Sequence, residues 1–346
     1  MPIDMANALK QMGYGVTFID AGGEPRNEKI RNKLRSDIPL ISLGWCFFQL
    51  PILLKQLGVE VIHTHHASVD YCTSEQLSSK DIKQVVTLHG MYETVKPKYL
   101  ATQIPYMAKR VKKWFYIADK NTPIMLKYGV EKENLFKIFN AVPDIPPSKT
   151  REEVLQECGF EANCFLIAIS SRALPTKGWK LAYDSIKHVR KETQRDICIV
   201  FLGNGECYDQ MKPSSEKWAH FTGYSNDVSS YFNASDLVML PSTYPGESFP
   251  LCLLEAFAAH KPVIASNIGE ISNMMTNSNG TAGILLEIQS DGQISQTDID
   301  NAIDLMSQKG EPYLRAKSIA EEQAQRFNIN KLVEILTDQY RKIINQ

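Results

Sequence analysis

Four side chains in the second half of the chain have types and spacings suited to gripping a phosphorylated polyol. Glu247 and Glu255 stand eight residues apart within SDLVMLPSTYPGESFPLCLLEAFAAHKPVIAS, residues 235–266. A carboxylate accepts hydrogen bonds from neutral hydroxyls such as those of ribose or a sugar. Arg172 and Lys177 stand five apart across a proline turn and are followed by Gly178. A guanidinium and an ammonium at one place suit a diphosphate, above all one that gains charge as it leaves. Spacing alone leaves the bland alternative open: two solvated glutamates and a surface pair of cations.

The chemistry needs elements that bring these groups together. Leu237-Val238-Met239-Leu240 is too short for a helix and is ended by Pro241, so it reads as a strand. Ser242 to Gly246 has turn chemistry, and Pro250 suits the first turn of a helix. Leu251, Leu254, Ala258 and Ala259 are expected on that helix's inner stripe, and Pro262 to Ala265 returns as a buried parallel strand. Cys164–Ile169 is an apolar strand leading into the turn that holds Arg172 and Lys177. Ile197–Leu202 is another, followed by Gly203-Asn204-Gly205-Glu206; Tyr224 and Asp227 precede a further helix.

The first half repeats the pattern. Strands are expected at Val16–Asp20, Glu60–His63, Gln84–Leu88 and Phe136–Phe139, with His65 and His66 after the second and His89-Gly90 after the third. Strands with polar tips alternating with helices predict doubly wound parallel sheets. Such sheets bind ligands beyond the carboxyl ends of their strands. The proline-rich Ile145-Pro146-Pro147-Ser148 reads as a short stiff linker. The expected division is 1–145, 146–326 and a terminal segment 327–346, with Leu332, Ile335, Leu336, Tyr340 and Ile343 on one helical face.

Composition bounds the rest. At 346 residues the chain suits two domains, each able to bury a core. Net charge is −1, yet residues 1–150 carry 20 Lys and Arg against 14 Asp and Glu, so the second half is acidic. No nucleic-acid motif accompanies the basic half. Seven cysteines without metal-ligand spacing (46, 72, 158, 164, 198, 207, 252) read as buried thiols of a reducing cytoplasm. Met1 to Lys10 is amphipathic and carries no secretory signal. The apolar run Ile38–Leu54, broken by Pro39, Gly44 and Pro51, is expected as a buried or membrane-surface helix. Lys109, Arg110, Lys112 and Lys113 beside Tyr106, Met107, Trp114 and Phe115 read as a solvated helix end running into a strand, with a basic, aromatic face for anionic lipid as the alternative. His65 and His66 lack a third metal ligand, so no metal is expected.

Taken together, these motifs resemble the retaining GT-B glycosyltransferases of family 4, the glycogen-synthase-like group. The likeness rests on Glu247…Glu255 with its flanking Pro241-Ser242 and Pro262-Val263-Ile264-Ala265-Ser266. It rests also on Arg172…Lys177-Gly178, the Gly203–Glu206 turn, Asn140–Asp144 and Thr87-Leu88-His89-Gly90. It covers most of the chain, is specific over 164–286 and weak before residue 60.

The resemblance implies two Rossmann-like domains facing a cleft, with the nucleotide held by the second. It implies transfer of a sugar from a nucleotide-diphosphate sugar to a hydroxyl of a glycan, lipid-linked or small-molecule acceptor. Configuration would be retained, with no metal or cofactor. Glu247 would contact the donor sugar, Glu255 the ribose, and Arg172 with Lys177 the leaving diphosphate. Ser248, the amides of Phe249 and Leu251, Gly203 and the backbone near Tyr224 would line the nucleotide site, and His89 would meet the sugar from the opposite wall. Such a terminal helix crosses back to the first domain in the family. The implied setting is cell-envelope or polysaccharide synthesis in the cytoplasm, with peripheral contact at the inner membrane face.

Departures are Ser171, Pro250 and Lys261 where glycine is usual, Asn273 where glutamate is usual, and Ala141 with Pro143 in the Asn140 turn. The chain opens inside a helix that follows a first strand and glycine-rich turn in the family, so the first domain is expected to lack both. The rival reading is therefore a sugar-nucleotide-binding protein with little or no transferase activity.

Overall fold

The computed structural model describes the chain apart from residues 23–25, 45–46, 78–81, 91 and 346. The chain forms two units, Met1–Pro143 with Ile329–Gln346, and Asp144–Asn328. In the first, β1 (Phe18–Asp20) pairs in parallel with β2 (Leu40–Ser42). β3 (Val61–Thr64), β4 (Lys83–Leu88), β5 (Lys113–Tyr116) and β6 (Leu135–Lys137) form a four-stranded parallel sheet in sequence order. The helix Ile329–Ile344 packs into this unit: its first amide donates to the Val142 carbonyl (3.1 Å), and Arg341 reaches the Tyr14 hydroxyl (2.6 Å).

The second unit carries β7 (Phe165–Ser170), β8 (Ile197–Leu202), β9 (Ala219–Gly223), β10 (Leu237–Leu240) and β11 (Val263–Ser266). A small antiparallel ribbon, β12 (Thr276–Asn277) with β13 (Gly280–Thr281), precedes β14 (Gly283–Leu286). The six-stranded parallel sheet runs in the order β14-β11-β10-β7-β8-β9. The chain therefore starts in the middle at β7, winds outward through β8 and β9, then returns to β10 and winds the other way. Between β7 and β10 the winding reverses, and the region beyond the carboxyl ends of strands at such a switch point is where open α/β sheets bind ligands. Continuous apolar runs explain why these strands are covered on both faces: all residues of β8, β10 and β11 are buried. Trp179 packs on Phe201 at 4.9 Å, and Phe201 stacks on Phe221 at 4.7 Å.

Three expectations change. The run Ile38–Leu54 is not one helix: it supplies β2 and the start of a helix at Leu50–Gln56, because Pro39, Gly44 and Pro51 interrupt it. Trp45 and Cys46 lie outside the described residues. No described helix is long and apolar enough to cross a membrane. The basic, aromatic lipid face is not formed, because Met107, Trp114 and Phe115 are fully buried. In the helix Leu251–Ala258 the inward residues are Leu253, Leu254, Ala256 and Phe257; Leu251 is exposed and Ala258 only half-buried. Among the described cysteines none is disulfide-bonded, and Cys72 and Cys252 are only partly buried.

Inside the first unit, Asp70 is fully buried on the helix Ala67–Gln76 and accepts a hydrogen bond from Tyr92 at 2.8 Å. Burial raises its carboxyl to about 7, against the opposing pull of the Thr64 and Tyr92 hydroxyls. The folded state thus holds a proton that the unfolded chain releases near the ordinary value of 3.8. This stabilisation is complete below that value and is lost as pH rises towards 7, a change of up to about 4 kcal/mol. Urea midpoints should fall between pH 5 and pH 8 for the native chain, and Asp70→Asn should flatten that fall; an unchanged slope in the variant would contradict the assignment.

Candidate functional site

Beyond the carboxyl end of β7, the turn Pro175–Lys177 ends at Gly178 with φ +73°. A Cβ there would lie 2.1 Å from the Pro241 carbonyl oxygen, so only glycine lets this turn press against the loop after β10. Two hydrogen bonds stitch the loops: the Thr243 amide donates to the Thr176 carbonyl (2.8 Å), and the Ser242 hydroxyl to the same oxygen (3.2 Å). Lys177 is thereby set beside Glu247, and the two form an ion pair between side chains only 10% and 8% exposed. The Ser242 hydroxyl lies 3.1 Å from the same Glu247 oxygen. Two charges taken from water need such additional partners to be tolerated.

Arg172 joins this group through Tyr244, whose ring faces the guanidinium at 5.8 Å and the Lys177 ammonium at 4.8 Å. Glu255 lies one turn after Cys252 on the helix Leu251–Ala258, hence on the same face. Burial pushes the Cys252 thiol up, the carboxylates of Glu247 and Glu255 push it further, and Lys177 opposes them. The three charges that act on this thiol are three of the four that the sequence singled out. Lys177 and Glu247 are thus in contact beyond the carboxyl ends of β7 and β10, Arg172 shares the Tyr244 ring with Lys177, and Glu255 lies on the helix that follows.

Neighbouring positions are sorted by the same loops. Gly203, at φ +143°, would drive a Cβ to within 1.9 Å of the Ser171 carbonyl oxygen; its amide donates to the Gly223 carbonyl (2.8 Å). The tips after β7, β8 and β9 are therefore stacked against each other. Ser171, in the place of a usual glycine, accepts from the Trp179 indole at 2.9 Å. Tyr224 follows at the end of β9 and is 68% exposed. The Phe249 ring turns inward onto Phe327 (5.6 Å), leaving only its backbone for a ligand. Ser248 is buried, and its carbonyl accepts from the Glu270 amide (2.9 Å). Asn273 donates to Glu270 at 2.9 Å. Tyr244 and Cys252 were not legible as site residues, their only sequence signal being a place in or beside the loop that carries Glu247, and Ser242 entered only as a flank of the motif.

In the first unit, His89 follows β4 and shares a hydrogen bond with His65 (Nε2 to Nδ1, 3.1 Å). The His65 ring stacks on His63 at 4.2 Å, and His63 contacts the Tyr340 hydroxyl (2.5 Å) and the Thr87 hydroxyl (2.6 Å). Burial lowers His63 to about 3 and His89 to about 4, and holds His65 well below its ordinary value. All three imidazoles are consequently neutral at pH 7, each with one donor and one acceptor nitrogen. His66 instead caps the following helix and accepts from the Ser68 amide. Among the described residues no group of three His, Cys, Asp or Glu could hold a metal ion.

Residues 150–322 match the family model of the Glycosyl transferases group 1, and residues 3–142 match that of Glycosyltransferase Family 4. The chain belongs to this family of GT-B glycosyltransferases. Glycosyltransferases of this family use nucleotide-sugar donors, and this chain is one of them. It is 26% identical over 319 residues, 83% of this chain and 76% of the other, to the UDP-Gal:alpha-D-GlcNAc-diphosphoundecaprenol alpha-1,3-galactosyltransferase of Escherichia coli. An uncharacterized glycosyltransferase of Haemophilus influenzae is 22% identical, with 96% and 92% of the two chains covered. Among solved structures, Anabaena Alr3699/HepE in complex with UDP superposes with a TM-score of 0.79 at 17% identity, covering 99% of this chain and 95% of that one.

The buried pair gives this glycosyltransferase a testable energetic signature. Lys177→Ala leaves Glu247 buried without its cation and should cost on the order of 3 kcal/mol. Removing both charges should cost less than the sum of the single changes. A double-mutant cycle by denaturant unfolding should therefore show coupling above about 1 kcal/mol; strict additivity would mean that the pair is not formed.

Proposed function

We propose that the protein transfers a hexosyl group from a UDP-sugar to a hydroxyl of a lipid-linked glycan, with retention of anomeric configuration and without a metal. The observation that supports this reading is the buried Lys177–Glu247 pair beyond β7 and β10, with Arg172 beside the same Tyr244 ring and Glu255 on the helix that follows the Glu247 loop. Arg172 and Lys177 take the diphosphate, whose charge grows as the bond from the anomeric carbon to phosphate oxygen breaks. Two fixed cations perform there what a metal does in other transferases. Glu255 accepts hydrogen bonds from the ribose hydroxyls. Glu247, shared with Lys177 until the donor arrives, orients the sugar.

The acceptor oxygen then bonds to the anomeric carbon on the face the diphosphate leaves, and its proton passes to the departing phosphate oxygen. No carboxylate nucleophile is required by this course. His89, kept neutral, is assigned to turnover. The UDP donor and lipid-linked acceptor follow the printed activity of the Escherichia coli relative and the UDP bound by the Anabaena protein. The proposed setting is cell-envelope glycan synthesis in the cytoplasm.

A nucleotide-sugar binder without transferase activity remains the competing account, and turnover separates the two. In thermal-shift measurements UDP-sugars should raise the melting temperature and GDP- or ADP-sugars should not, because only ligands of the folded state stabilise it. Glu255→Ala and Lys177→Ala should lose that shift; His89→Ala should keep it and lose turnover. Product from a UDP-α-sugar should be the α-anomer by NMR and should form equally in excess EDTA. Binding without turnover, a β-product or abolition by EDTA would each reject the corresponding element.

A further inference from the structure

A second charged site lies at the opposite, amino ends of the strands of the second unit. A cavity of about 320 Å³ opens beside the starts of β7, β10 and β11, lined among others by Arg151, Asn163, Asn233, Asp236, Lys261 and Lys309. That volume sits at the small end of ligand pockets, which run from about 300 to 1,000 Å³. Three cations face one carboxylate, and that carboxylate is already committed. Asp236 accepts from Arg151 (3.1 Å), from the Leu166 amide (2.9 Å) and from Lys309 (2.8 Å). Arg151 is fixed further by the carbonyls of Ala234 and Cys164.

Lys261 is the cation left over. Among the described residues no hydrogen bond or ion pair engages its ammonium. Burial lowers it to about 8; Asp236 pulls it up, while Lys317, Arg151 and Lys309 repel it. His260, just before Lys261, and Lys309 each close a preceding helix in the left-handed region, at φ +56° and +52°. An uncompensated, half-buried positive charge is unfavourable until an anion arrives.

We propose that this cavity is a binding site for a phosphoryl dianion, either free phosphate or the phosphate of a small phosphomonoester. A dianion matches the excess of two positive charges, with Lys261 supplying the unshared donor and Lys309 and Asn163 at hand around it. The site is separate from the diphosphate-binding group, which follows the carboxyl ends of β7 and β10.

Isothermal titration of the full chain with inorganic phosphate, and separately with glycerol 3-phosphate, at matched ionic strength tests this. Saturable binding of one molecule should persist in saturating UDP and in Lys177→Ala. Lys261→Met should weaken it about tenfold or more, the loss of one charge-assisted hydrogen bond, and Lys261→Arg should retain most of it. Tighter binding of glycerol 3-phosphate would identify an ester as the ligand, tighter binding of phosphate the free ion. Absence of saturable binding by either at millimolar concentration overturns the proposal, as does binding that UDP displaces and Lys261→Met leaves intact.

Discussion

A lysine and a glutamate held out of water against each other set the terms for the second unit. Removing both charges from solvent costs several kcal/mol per ion, repaid only by close mutual contact and by further hydrogen bonds. Lys177 and Glu247 lie seventy residues apart and on separate loops, so their contact requires those loops to be pressed together. Gly178 permits the approach to Pro241, and Thr176, Ser242 and Thr243 fasten it. Ser242 adds a hydrogen bond to the carboxylate. The pair is thus a consequence of strand order, which puts β7 and β10 side by side at the reversal of winding.

The proposed function rests on the same arrangement. In the proposed reaction a diphosphate bound beyond these strands meets a cation already positioned and partly desolvated, so little reorganisation is needed when charge develops on it. Tyr244 places its ring against both Arg172 and Lys177. The helix that follows Pro250 carries Glu255 to the same place. Departures from the family's usual residues are absorbed locally: Ser171, at a usual glycine, accepts from the Trp179 indole, and Asn273, at a usual glutamate, donates to Glu270.

Most strands of the second unit and the charged turns after them were legible in the sequence because short apolar runs ended by proline or glycine have few alternatives. The inward face of Leu251–Ala258 was misread for a physical reason. Its residues are apolar almost all round, so periodicity does not choose between Leu251 and Leu253. The run Ile38–Leu54 shows the converse, since hydrophobicity suggested one helix and its prolines and glycine divided it. Tyr340 against His63 joins residues 277 apart, and no local pattern announces such a contact. Tyr244 and Cys252 were overlooked because their importance lies in what surrounds them.

The most direct measurement is a crystal structure of the protein with a nucleoside diphosphate bound. The account predicts phosphate oxygens within hydrogen-bond distance of Lys177 and the Arg172 guanidinium, with the ribose hydroxyls on Glu255. A diphosphate seated elsewhere, with Lys177 and Glu247 still engaged only with each other, would contradict it.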